Sequence, residues 1–149
     1  MSNEIMIRIA GFADAAELAF LFDQYRMFYD QPTDINGARK FISERLQLKD
    51  SAVFLAFLGE QAVGFTQLYP IFTSVGMQRS WLLNDLFVTE SARGKKVATQ
   101  LLETAKHFAK SRNSKWLLLQ TGADNFQAQA LYEKDGWKKQ SDFFYQFDL

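Results

Sequence analysis

The feature that most restricts this chain is an unbroken apolar run, Ala52–Leu58, followed by a Gly59-Glu60 turn and a second apolar run over 62–69. Two such runs joined by a short glycine turn predict an antiparallel hairpin. A third run, 80–88, predicts a central strand beside it. Pro70 ends the second strand in this reading, and 71–79 reads as loop, part of which can extend a strand. Helices are expected on the faces of a mixed sheet built from these runs.

The remaining elements follow from changes of period. Residues 4–9 alternate loosely and read as a first strand. Asp14 and Glu17 have capping-box spacing ahead of a helix through Tyr29. A loop over 30–34 ends at Asp34, which caps a second helix carrying Ile35, Ala38, Phe41, Ile42 and Leu46. From Arg93 to Ser111 the apolar positions Val97, Leu101, Ala105 and Phe108 share one helical face. Residues 116–121 read as a fifth strand. Asp124 with Gln127 predicts the start of a further helix, stopped by Gly136. Residues 137–138 and 143–147 read as two strands or one bent strand. The expected order is βααβββαβαββ, an α/β domain over 1–149 with six or seven strands and about four helices.

Composition excludes several chemistries. The chain of 149 residues has no Cys, so zinc–thiolate sites, iron–sulfur clusters and a cysteine nucleophile are ruled out. One histidine, His107, excludes a multi-histidine metal site, and its place off the apolar stripe reads as surface. No metal site is expected. Lys plus Arg balances Asp plus Glu at 17 each, without the basic excess of a nucleic-acid binder. Glu4 and Arg8 interrupt the start, where no secretory apolar segment is expected, and the longest apolar run is too short to span a membrane. A cytoplasmic location is the expectation.

The joint between 80–88 and the following helix holds Arg93, Gly94, Lys95 and Lys96. A helix N-terminus offers unpaired N–H groups and a positive dipole end that suit a phosphate, and Gly94 allows close backbone approach. Three cations at that end oppose the dipole unless an anion joins them. The other reading is a solvated basic turn. Neither a P-loop nor a dinucleotide fingerprint fits, since Gly94 stands alone.

Residues 83–102, LNDLFVTESARGKKVATQLL, resemble motif A of the GNAT superfamily of acetyl-CoA-dependent N-acetyltransferases, and residues 125–137, NFQAQALYEKDGW, resemble its motif B. Both occur in order with a strand between them, and the element order resembles the GNAT fold along essentially the whole chain. The run Asp85-Leu-Phe-Val is similar to that of polyamine and other small-amine members. One position departs: Lys96 stands where the family pattern has its second glycine.

The resemblance implies roles for particular residues. Leu86, Phe87 and Val88 would line a splay between two strands that holds the pantetheine arm, with the Val88 N–H polarising the thioester carbonyl. Arg93, Gly94, Lys95, Lys96, Val97 and Ala98 would hold the pyrophosphate. Tyr132 falls at the motif B tyrosine that protonates the departing thiolate; otherwise it is a packed helical residue. Asn125 is a helix cap or a contact to the cofactor arm. Asp85 is the best-placed carboxylate for a general base and Glu90 the second, with a buried hydrogen-bonded carboxylate or substrate anchor as the other role for Asp85.

An acceptor site is expected between the connection of the first two helices and the 70–79 segment. Tyr25, Phe28, Tyr29, Asp30 and Trp81 are its candidates beside Asp85, since aromatics next to an acid suit a cationic amine. The expected activity is direct transfer from acetyl-CoA to a primary amine of a small molecule in a ternary complex. Alternatives are acetylation of a protein N-terminus or lysine, and a catalytically silent acyl-CoA-binding module. Family members are often dimers, so a homodimer is a further expectation.

Overall fold

The computed structural model describes residues 4–149. Its sheet has five strands in sequential order: β1 (Ile5–Ile9), β2 (Ala52–Leu58), β3 (Gln61–Thr73), β4 (Gln78–Val88) and β5 (Leu117–Leu119). The first four pair antiparallel, and β5 joins β4 in parallel. The helices are α1 (Ala15–Phe28), α2 (Ile35–Leu48), α3 (Val97–Ser111) and α4 (Phe126–Lys134), with short 3-10 turns at Phe12–Asp14 and Glu90–Ala92. None of the described helices is long and apolar enough to cross a membrane.

The apolar strands are covered on both faces. Leu18, Leu21 and Ile42 from α1 and α2 pack on Val53, Leu55, Phe57, Phe65 and Phe87. Leu101, Leu102, Ala105 and Ala109 from α3 pack on Phe54, Leu68, Trp81 and Leu83 on the opposite face. One register irregularity matters for function. Gln67 pairs with Asp85 but Leu68 pairs with Leu83, which leaves Asn84 as the extra residue of a β-bulge. The bulge breaks the alternation of β4, so Asp85 shares the α1 face with Phe87 while Leu83 faces α3.

Several expectations are corrected. The sheet has five strands, not six or seven, because 137–138 and 143–147 lie outside it and the fifth strand shrinks to Leu117–Leu119. Pro70 does not end β3. It pairs opposite Trp81, beyond the last β2–β3 pair at Leu68, where β3 has an edge that tolerates a missing N–H. The 70–79 segment is therefore a strand pair with a tip, not a loop. Asp14 does not cap α1. Its carboxylate accepts from the Gly11 N–H and from Arg8 instead. Asn125, not Asp124, caps α4, while Asp34 caps α2 by accepting from the Gly37 N–H at 2.9 Å. α3 begins at Val97, so the residues from Arg93 to Lys96 form a turn ahead of it.

Candidate active site

The parallel pairing of β4 with β5 covers only Trp81 to Leu83. Past Leu83 that edge of β4 has no strand partner among the described residues. The Thr89 N–H donates to the Val63 carbonyl at 2.8 Å, toward β3. Strand alternation then turns the Val88 and Leu86 N–H groups to the opposite, unpaired edge, while Phe87 carries its side chain into the α1-side core. That edge thus presents strand amides with no strand partner among the described residues.

At the end of β4 the chain turns into α3. Gly94 has φ +78° and Lys96 has φ +67°, so two left-handed residues flank Lys95. Successive amides in such a turn form a concavity for an anion, and the first N–H groups of α3 add to it. Lys96 occupies the N-cap position with no side-chain hydrogen bond to the helix. Its conformation explains why a glycine is favoured there: a side chain in the left-handed region carries a penalty of about 1–2 kcal/mol. Lys95 and Lys96 are exposed, Val97 is buried in the core and Ala98 is half-buried, so Val97 has its backbone to offer. Arg93 donates from Nε to the Val88 carbonyl at 3.1 Å and lays its guanidinium 5.5 Å from the Phe28 ring centre. It ties the end of α1 to the end of β4.

Asp85 is 5% exposed. Gln67 Nε2 donates to its Oδ2 at 2.9 Å, and Asn84 Nδ2 donates to its Oδ1 at 3.1 Å. Ser51 Oγ in turn donates to Gln67 Oε1 at 2.9 Å, which fixes the amide orientation. Burial pushes the Asp85 carboxyl above the ordinary aspartate range, and Gln67, the Tyr25 hydroxyl and Asn84 pull against that rise as donors. Burial and the Asp85 charge push the Tyr25 phenol up, and the same causes raise Tyr69 to about 12. Both phenols therefore stay protonated and able to donate at neutral pH.

The aromatic residues from α1 gather above this acid. The Tyr25 ring meets Tyr29 at 5.2 Å, Phe65 at 5.7 Å and Phe87 at 6.1 Å, and Phe28 meets Tyr29 at 5.4 Å. Tyr132 reaches the same region from α4. Burial raises its phenol, with Tyr29 as the second cause, and its ring lies 6.2 Å from Trp137. Lys106 braces that helix end through a 2.6 Å ion pair with Asp135, whose carboxylate also accepts from Trp137 Nε1.

Thus the fold brings Tyr25, Phe28, Tyr29, Asp85, Phe87, Arg93 and Tyr132 to one end of the sheet. Trp81 is not among them. It is buried on the α3 face against Phe108, with its Nε1 donating to Ser114 Oγ. It lies two positions before Leu83 on the same face, and the bulge then sends Asp85 to the other one. Asn125 spends its Oδ1 on the α4 cap, accepting from the Ala128 N–H at 3.2 Å. Asp30, Glu90 and His107 are exposed. Sequence reasoning missed Gln67, Tyr69 and Ser51. The signal was a glutamine inside a largely apolar strand, since a buried amide requires a polar partner.

Comparison with known proteins identifies the family. A model of the acetyltransferase (GNAT) family matches residues 18–137. The chain is 44% identical over 137 residues to an uncharacterized N-acetyltransferase, YhfO, of Bacillus subtilis (strain 168), covering 92% of each chain. The crystal structure of a probable acetyltransferase superposes with a TM-score of 0.91 at 37% identity, covering 97% of both chains. An aminoglycoside N-acetyltransferase solved in complex with CoA shares the fold, with a TM-score of 0.83 at 17% identity over 99% of this chain and 97% of that one.

Proposed function

This chain belongs to the acetyltransferase (GNAT) family and is an N-acetyltransferase, and we propose that it transfers the acetyl group of acetyl-CoA directly to a primary amine of a small molecule. The observation that carries the acceptor class is Asp85, a buried acid held by Gln67 and Asn84 and bonded by Tyr25 of α1. A recessed carboxylate ringed by aromatic faces and phenols suits a compact ammonium group.

The donor set fits acetyl-CoA, which supplies an activated acetyl thioester when bound. The turn from Arg93 to Lys96 and the first amides of α3 suit a pyrophosphate, with Lys95 and Lys96 adding charge. The unpaired edge of β4 at Leu86 and Val88 suits an arm that carries amides. The Val88 N–H is the donor for negative charge developing on the thioester oxygen. Asp85 receives the proton that the attacking amine must lose, directly or through water. The Tyr132 hydroxyl donates to the departing sulfur. No Cys is present to carry the acetyl group, in keeping with direct transfer. This reading retains the cytoplasmic location expected from the sequence.

The test has two parts. Calorimetric titration with acetyl-CoA is expected to give micromolar binding at one site per chain. A panel of primary amines, peptides included, followed by release of the CoA thiol, is expected to show turnover with small amines. Turnover with peptides alone would replace the acceptor class. Binding without any turnover would favour a silent acyl-CoA module.

A further inference from the structure

A cleft of about 650 Å³ opens at the end of the sheet away from the candidate active site. It lies where β1 ends, where β2 and β4 begin, and where α2 and α3 end. Its size is within the usual range of a small-molecule site. α3 has 15 residues, so it spans about 22 Å, and the Arg93-to-Lys96 turn sits at its other end.

The lining combines two chemistries. Phe12, Trp81 and Phe108 supply aromatic surface, while Lys49, Arg79 and Arg112 supply positive charge. No Asp or Glu among the described residues lines it. Trp81 and Phe108 meet edge to face at 5.0 Å. The Arg79 guanidinium lies 5.5 Å from the Trp81 ring centre, and that of Arg112 lies 5.1 Å from the centre of Phe108. Two guanidinium groups thus flank one aromatic pair. Phe12 stays 61% exposed at the same cleft.

These cations are unspent. Among the described residues, the side chains of Lys49, Arg79 and Arg112 join no ion pair and donate no hydrogen bond. The acids nearest in sequence are already engaged, Asp14 by Arg8 and Asp50 by Arg45. The negative end of α3 is also answered, because its last carbonyls accept from the Arg112, Asn113 and Ser114 N–H groups and from the Ser111 hydroxyl. Solvation accounts for scattered surface cations, but not for three that share one aromatic cleft without an acid.

We infer that this cleft binds a small organic anion, a carboxylate carried on an aromatic or similar apolar body. The body lies against Phe12, Trp81 and Phe108, and the carboxylate accepts from Arg79 and Arg112. Charge selects this occupant: an ammonium group would meet three uncompensated cations. The inference is independent of the acceptor reading, since none of these residues belongs to the candidate active site.

Indole-3-acetate and its neutral analogue indole-3-acetamide are the probes, titrated calorimetrically into the full chain. The acid is expected to bind with Kd of about 1 mM or tighter, and the amide at least about tenfold more weakly. Arg79→Gln/Arg112→Gln is expected to weaken the acid at least about tenfold and to leave the amide unchanged. Both positions are exposed, circular dichroism checks the fold, and each single variant is expected to show part of the loss. Saturation with acetyl-CoA is expected to leave binding of the acid unaltered. Equal affinity for acid and amide would overturn the inference, as would no binding of the acid at about 10 mM. Binding that survives the double substitution, or that acetyl-CoA displaces, would place the acid elsewhere and overturn it equally.

Discussion

Gln67 and Asp85 face each other across β3 and β4, with the amide nitrogen 2.9 Å from the carboxylate oxygen. The bond exists because the bulge at Asn84 turns Asp85 toward α1 at the register of Gln67. The same pair sets the ionisation of the acid, since burial raises it and the amide donor opposes the rise. Replacing Gln67 by Leu removes the donor, so the acid limb of the pH–rate profile is expected to move to higher pH. A merely structural role would lower activity without moving that limb. In Asp85→Asn the limb is expected to vanish and kcat/KM for the amine to fall by about 10²-fold or more, while acetyl-CoA affinity stays unchanged by calorimetry.

Tyr132 packs against the α3-side core beside Trp137. Tyr132→Phe keeps the ring against Trp137 and removes the hydroxyl. Steady-state kinetics are expected to show kcat reduced by about 10²-fold, with acetyl-CoA binding unaltered. Unchanged kcat at saturating substrates would remove Tyr132 from the proton path.

Lys96 is held at φ +67°. Lys96→Gly relieves that conformation and is expected to stabilise the fold by about 1 kcal/mol, offset in part by glycine's greater unfolded-state freedom. The expected rise in Tm is about 2–4 °C. Acetyl-CoA affinity is expected to change by less than about tenfold, because an amide at this turn survives the substitution and a single exposed charge contributes about 1 kcal/mol or less. A larger loss would assign the anion contact to the Lys96 side chain.

Asp23 fastens the α1–α2 connection, accepting from Thr33 Oγ1 at 2.6 Å and from the Asp34 N–H at 2.7 Å. These bonds, Thr33 first, hold its carboxyl below the ordinary aspartate value despite burial. A depressed folded-state pKa contributes stability that is present above the unfolded value of about 3.9 and lost as pH falls through the folded one. Asp23→Ala is expected to lower the unfolding free energy by about 1–3 kcal/mol at pH 7. Urea titrations at a series of pH values check the sign: the gap between wild type and variant should narrow below the ordinary aspartate pKa.

The elements were legible where local pattern and packing agree. The hairpin of β2 and β3, the amphipathic α3 and the Asp34 cap all follow from periodicity and short-range hydrogen bonding. Tyr132 and the Arg93-to-Lys96 turn were legible through their motifs, and Tyr25, Phe28 and Tyr29 through a cluster of aromatics near a loop. Trp81 was misplaced because one inserted residue reverses every face beyond it, and a bulge leaves no mark in the hydrophobic pattern. Gln67 was overlooked because its partner lies across a strand pair, at a distance in sequence that no window spans.

Residue order alone decided the α/β class, the family and the chemistry excluded by an absent Cys and a single His, because these depend on local pattern and inventory. Tertiary structure decided which face Asp85 occupies, which strand amides stay unpaired beside β5, and that the aromatic 143–147 segment pairs with no strand among the described residues. Those outcomes depend on register. A strand becomes part of a sheet only when another backbone presents its hydrogen bonds, and no residue carries that condition by itself.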